Sequence, residues 1–198
     1  MKQEQVLQVF RDAGAYLEGH FLLTSGRHSN AYVEKFQVLQ HPGDCAVLCA
    51  AMAADFADLK PTVVVGPAVG GILLAYETAR ALGVRGIFLE REEGKLVLRR
   101  GFEIGDQDRV LVVEDVVTTG ISVFEVLETL KREKSESRIV GVAFLVDRSS
   151  GKVHFSVPRQ KALLTLDLPT WEPAECPLCR QSVPLTKRGS RKTSGSGA

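Results

Sequence analysis

"VLVVEDVVTTGIS", residues 110–122, places four apolar residues, two adjacent acids and a cluster of small hydroxyl and glycine residues in one unbroken line. The Val-rich opening reads as a buried strand, and "ISVFEVLETLKREK", residues 121–134, reads as the helix that follows it. Glu114 and Asp115 therefore stand at the carboxyl end of a strand, where open parallel sheets bind their ligands.

The same alternation extends to both sides of that segment. Upstream, "DCAVLCAAMAADFADL" reads as a helix opened by Pro42-Gly43, "TVVVGP" as a β-branched strand, and "GGILLAYETARALG" as a helix closed by Gly83. "GIFLE" and "KLVLRR" are strand candidates that can form a hairpin about Glu93-Gly94, and "RIVGVAFLVDR" is a strand downstream. Strands alternating with helices imply an α/β fold, a parallel sheet flanked by crossover helices. Before it, residues 2–17 suit an amphipathic helix ending near Gly14. "EGHFLLTSGRHSNAYVEK" then reads as strand, turn at Ser25-Gly26, and strand, together forming a small N-terminal hood. We expect the helix and hood over 1–40, the α/β core over 41–168, a C-terminal extension over 169–185, and a disordered Gly/Ser/basic tail over 186–198.

The 198 residues suit one main domain, and a net charge of +1 gives no bulk preference for polyanions such as nucleic acid. Apolar runs are interrupted by Gly and Pro before reaching the roughly 18–20 residues that span a bilayer. The opening "MKQEQVLQVF" lacks a basic-then-apolar leader, so a cytoplasmic protein that binds neither membrane nor nucleic acid is the expectation. Four cysteines do not form a secreted disulfide pattern. Cys45 and Cys49 read as small buried helix residues, and Cys176 and Cys179 of "CPLC" as reduced, non-ligating thiols, since no second close-set Cys/His pair completes a four-ligand site.

Chemistry concentrates around residue 115. Backbone amides and hydroxyls of Thr118, Thr119, Gly120, Ile121 and Ser122, after Val116 and Val117, can converge on an anion at a helix N-terminus, with Gly120 allowing close approach. Two acids just before a phosphate cradle lie about one ribose away, where carboxylates can accept hydrogen bonds from vicinal hydroxyls. A phosphorylated pentose satisfies both features; an ordinary strand-to-helix turn with a solvated acid pair is the alternative. Neither G-x-x-x-x-G-K-[ST] nor G-x-G-x-x-G occurs at a strand-to-helix junction, which excludes P-loop and dinucleotide readings. "VGPAVGG", residues 65–71, reads either as a second anion loop or as close strand-to-helix packing through Gly66, Gly70 and Gly71.

At this point the chain resembles the type I phosphoribosyltransferases, whose signature is an apolar strand, two acids and a Thr/Gly/Ser phosphate loop. Within them it is similar to the orotate-specific branch, through "HFLLTSGRHSNAY", "VVVGPAVGGILLA", "EREEGKLVLRRGFEI" and "VAFLVDRSSG". The resemblance implies transfer of 5-phosphoribosyl from phosphoribosyl pyrophosphate (PRPP) to orotate with Mg²⁺, the metal held mainly by substrate. It implies Glu114 and Asp115 on the ribose, residues 116–122 on the 5-phosphate, and Gly70 and Gly71 on pyrophosphate. It places Arg91 and Lys95 as catalytic cations on a basic loop, residues 90–103, that closes over the neighbouring subunit of a homodimer. Orotate would meet Thr118, Arg148 and the hood residues Ser25, Gly26 and Tyr32.

The chain departs from the family pattern at two cations. Val69, Gly70 and Gly71 stand where many relatives carry a loop lysine, and Thr24 stands where many carry a substrate-contacting one; Arg27, Arg99 and Arg100 are the candidate replacements. From the residues alone, Tyr32 reads equally as core and His28 as an exposed loop residue. Two rival functions are a phosphoribosyltransferase for another base and a non-catalytic PRPP-binding transcription regulator on the same fold.

Overall fold

The computed structural model describes residues 1–23, 25–132 and 138–187. The expectations for Thr24 and for the tail beyond 187 lie outside the described residues. Among the described residues no helix is long and apolar enough to cross a membrane.

The chain begins with α1 (Gln3–Asp12), the hairpin strands β1 (Tyr16–Leu22) and β2 (His28–Val33), a short α2 (Lys35–Leu39) and α3 (Pro42–Phe56). The core continues through β3 (Val63–Pro67), α4 (Gly70–Leu82), β4 (Arg85–Glu92), β5 (Lys95–Leu98), β6 (Val110–Val117), α5 (Ile121–Arg132), β7 (Ile139–Asp147) and β8 (Gln160–Thr165). It closes with β9 (Thr170–Trp171), α6 (Pro177–Arg180) and β10 (Thr186–Lys187). The first helix, expected to end near Gly14, stops at Asp12, where Ala13 caps it and Gly14 takes a left-handed φ of 65° before β1 begins.

The main sheet runs β5-β4-β3-β6-β7-β8, parallel throughout except for the β4–β5 hairpin. That hairpin turns at Glu93 and Gly94, both at positive φ, as a two-residue turn demands. Strand alternation divides the core in two. Val64, Leu111 and Val113 pack with α1, α3 and α4 on one face, while Val63, Val65, Val110 and Val112 pack with α5 on the other. In α5 the buried Val123, Val126 and Leu130 recur at three- and four-residue spacing. Strand β8 has no counterpart in the sequence reading, since "QKALLT" is short and only half buried.

A second, four-stranded sheet forms the hood, in the order β10-β1-β2-β9. The segment from 169 onward supplies both its edges, and Thr186 and Lys187, assigned from composition to the tail, pair in parallel with Phe21 and Leu22. Two-residue strands carry no periodicity, so their pairing was not legible in the chain.

Candidate active site

In the main sheet the strand order reverses direction between β3 and β6, one half growing toward β5 and the other toward β8. The carboxyl ends of β3 and β6 thus flank a topological switch point, where the diverging loops leave a crevice. A cavity of about 320 Å³ opens there, bordered by residues 67–70 after β3, by Glu114, Asp115, Val116, Thr118 and Ser122 after β6, and by Lys35 and Arg91.

Neighbouring residues of a strand point to opposite faces, and this sorts the acid pair. Asp115 faces the start of α4, so closely that a Cβ at Gly70 would lie 1.8 Å from its Oδ2. Its carboxylate receives the Lys35 ammonium at 2.6 Å. Glu114 faces the α5 side and the loop at 118–122. Its Oε1 accepts the Asp115 amide at 2.9 Å. Both acids are nearly inaccessible, at 6% and 4% exposure. Burial, reinforced by the Asp115 charge, pushes the Glu114 carboxyl up to about 8; the Asp115 amide, Lys35 and Ser122 oppose the rise. Glu114 therefore keeps its proton further up the pH scale than an ordinary glutamate, beside the Asp115 carboxylate that pairs with Lys35.

Gly120 takes φ 76°, and a Cβ there would meet Val153 at 2.7 Å, so this position admits glycine alone without rearrangement. Its carbonyl accepts the Phe124 amide, the first turn of α5. The amides of Ile121, Ser122 and Val123 precede that bond, have no intrahelical acceptor and point out of the helix end. They line a concave pocket of about 30 Å³ formed by residues 116–123 with Glu114. Small oxyanions suit such an end.

The glycines of "VGPAVGG" split between the two readings. Gly66 and Gly71 are packed backbone to backbone, a Cβ on Gly66 meeting the Gly71 carbonyl at 2.2 Å, whereas Gly70 serves Asp115. The Ala68–Val69 peptide between them is cis.

Arg148 follows β7, its amide bonded to the Val117 carbonyl at 2.8 Å, which sets it beside the loop at 118–122. Its guanidinium Nε is buried with no hydrogen-bond partner among the described residues. Burial holds its pKa below the ordinary value, with the Tyr32 phenol opposing. An orphaned planar donor beside outward-facing helix amides is an arrangement that a flat carboxylate ligand can satisfy. Ser25 and Gly26, at the exposed tip of the hood hairpin, do not line the main cavity.

The basic residues sort unexpectedly. Arg91 lines the cavity but is tied to Glu125 and to the Gly94 carbonyl. Lys95 lies on β5 in a separate groove against Ile121, Phe124 and Glu125. The three arginines considered as replacement cations are each engaged elsewhere: Arg27 with Glu172 and Thr170, Arg99 with Glu92, Arg100 with Glu90. Lys35, which the sequence reading passed over, is instead the cation at the acids. "VEKFQ" carries no motif, and only the course of the chain after β2 brings it there.

The cavity's donor set is oxygen-rich: two carboxyl groups and the hydroxyls of Thr118 and Ser122, with no thiol or imidazole among the lining residues. Such a set fits a hard divalent cation such as Mg²⁺.

Comparison with known proteins agrees with this geometry. The model of the phosphoribosyl transferase domain matches residues 37–158. The orotate phosphoribosyltransferase of Pelotomaculum thermopropionicum is 52% identical over 192 residues, 97% of this chain and 100% of the relative. That of Caldicellulosiruptor bescii is 50% identical with the same coverage. Among solved structures, the orotate phosphoribosyltransferase of Aeropyrum pernix superposes with a TM-score of 0.63 at 27% identity, over 81% of this chain and 93% of its own. The Mycobacterium tuberculosis enzyme, in complex with inorganic phosphate, does so with a TM-score of 0.64 at 26% identity, over 82% and 95%. With a domain match over most of its core and half its residues shared along nearly its whole length, this chain belongs to the orotate phosphoribosyltransferases of the phosphoribosyl transferase family.

Proposed function

We propose that this protein transfers the 5-phosphoribosyl group of PRPP to orotate, giving orotidine 5′-monophosphate and pyrophosphate in pyrimidine biosynthesis. The observation that carries the proposal is the switch-point cavity, where buried Glu114 and Asp115 adjoin the amide-lined loop at 118–122. Thr118, Thr119, Gly120, Ile121 and Ser122 hold the 5-phosphate, and the acid pair accepts the ribose hydroxyls. Gly70 and Gly71 offer backbone amides to pyrophosphate, and Lys35 and Arg91 are the cations at the cavity wall that can meet its charge. Arg148, with Thr118 and the hood residues Ser25, Gly26 and Tyr32, receives orotate.

When bound with PRPP, Mg²⁺ supplies charge neutralisation on the leaving pyrophosphate. The C1–O bond breaks with its electron pair leaving on pyrophosphate, and the ribose becomes oxocarbenium-like. The nearby Asp115 carboxylate stabilises that positive charge. A ring nitrogen of orotate then forms the new bond to C1 from the opposite face as its N–H proton passes to the departing pyrophosphate or to solvent, so no residue acts as a covalent nucleophile. Closure of the β4–β5 hairpin over the site keeps out water that would otherwise hydrolyse the sugar. Lys95, which lines a separate groove and not the switch-point cavity, fits a role across a homodimer, a cytoplasmic assembly by this reading.

The test is an assay of the purified chain with PRPP and Mg²⁺ against orotate, uracil, hypoxanthine and adenine. Consumption of orotate alone is expected. Turnover of another base in its place, or PRPP binding with no turnover of any base, overturns the proposal.

A further inference from the structure

Away from the active site, four side chains from the two ends of the chain meet under the hood. His20 of β1 and His28 of β2 come together with Cys176 and Cys179 of "CPLC", and their ligand atoms all lie within 4.8 Å of one another. His20 Nε2 stands 2.9 Å from His28 Nδ1, 3.4 Å from Cys176 Sγ and 3.8 Å from Cys179 Sγ, and Cys179 Sγ stands 3.3 Å from His28 Nδ1. Bond lengths of about 2.0–2.1 Å to nitrogen and 2.3 Å to sulfur in a tetrahedron give edges of about 3.3 Å between nitrogens and 3.8 Å between sulfurs. The four separations above, 2.9–3.8 Å, lie within about 0.5 Å of the edges such a tetrahedron has, and no pair lies beyond 4.8 Å.

We propose that His20, His28, Cys176 and Cys179 form a structural zinc site that fastens the C-terminal segment to the N-terminal hood. Two imidazoles and two thiols are the donor set that selects zinc over hard cations, and four protein ligands leave no open position for catalysis.

Three features outside the ligand atoms support this site. The His20 Nδ1 sits 2.8 Å from the Val183 carbonyl, which can only accept, so Nδ1 carries the proton and the Nε2 lone pair points into the cluster. A backbone carbonyl on the second nitrogen is the usual way a ligating histidine is oriented. The β1–β2 register shifts between Glu18 and Phe21, and this bulge re-aims His20 toward His28. Finally, β9 and β10 each pair with the hood through only two residue pairs. Strands that short need a further tie, and the cluster joins residues 156 apart in sequence.

This corrects two readings from sequence. His28 is buried on a strand, not exposed in a loop, and the thiols of "CPLC" do face a second pair of ligands. That pair escaped notice because His20 and His28 are eight residues apart, outside any close-set motif, and align only across a bulged hairpin.

On binding, zinc displaces the two thiol protons to solvent and the thiolates become ligands. Full-length protein, purified with reductant and without chelator, is expected to contain one zinc per chain by elemental analysis. Chelator-stripped, reduced protein should take up one Zn²⁺, and with Co²⁺ it should develop the visible absorption of tetrahedral cobalt thiolate. Cys176→Ser and His28→Ala should each lower bound zinc by at least about tenfold, while Cys45→Ser on α3 keeps it. Hydrogen exchange over residues 16–23 and 170–187 should speed up when the metal is removed. The proposal is overturned if reduced wild-type protein neither carries zinc nor binds added Zn²⁺, or if Cys176→Ser retains full zinc. The wild-type titration decides the matter even where a variant fails to fold.

Discussion

Glu114 makes the site's electrostatics measurable without substrate. Its carboxyl titrates at about 8 when folded against an ordinary 4.5. Below 4.5 both states hold the proton. Between 4.5 and 8 the unfolded chain has released it and the folded protein has not, so the folded state binds more protons and stability falls as pH rises. The slope is about 1.4 kcal/mol per pH unit, which amounts to about 3 kcal/mol at pH 7 and levels off above the folded value. Glu114→Gln keeps the side-chain volume and the acceptor for the Asp115 amide while removing the ionisation. Urea unfolding of the substrate-free protein should therefore find the variant more stable by about 3 kcal/mol at pH 7, a rise in Tm of roughly 6–12 °C for a chain of this size. At pH 5 the advantage should shrink to less than about 1 kcal/mol. The same variant should bind PRPP less well, a trade of stability against function common at buried charged sites. A stability difference that does not change between pH 5 and 8, or a variant less stable than wild type at every pH, refutes the reasoning.

Three further substitutions test the geometry. Asp115→Asn should lower kcat by at least about tenfold with the fold intact, because it removes the charge at the ribose while keeping volume; unchanged kinetics contradict the role. Arg148→Ala should raise the apparent KM for orotate and spare that for PRPP, because it removes the planar donor whose Nε has no hydrogen-bond partner among the described residues. A defect confined to PRPP would assign the arginine elsewhere. Gly70→Ala drives a methyl into the Asp115 carboxylate and should reduce kcat/KM for PRPP by at least about tenfold. Gly43→Ala on α3, where nothing lies within 4 Å, serves as control and should be neutral or stabilising by up to about 1 kcal/mol. Equal effects of the two glycine changes would remove close approach as the explanation.

Residues 110–122 were enough to announce a strand, an acid pair at its end and a helix start, because those features are local: burial period, end-of-strand position and helix N-terminal amides all follow from a dozen consecutive residues. The same holds for the Gly83 cap and the Glu93-Gly94 hairpin, which rest on backbone conformations few residue types adopt. What the tertiary structure alone decided is which distant groups share a volume. Lys35 reaches Asp115 across 80 residues, and the arginines considered for the two absent family lysines are already paired with glutamates. His20 and His28 meet Cys176 and Cys179 only because two-residue strands bring the C-terminal segment beside a bulged hairpin. Periodicity records how a segment faces its own core, but encounters between segments depend on the path of the whole chain, which no single stretch of residues encodes.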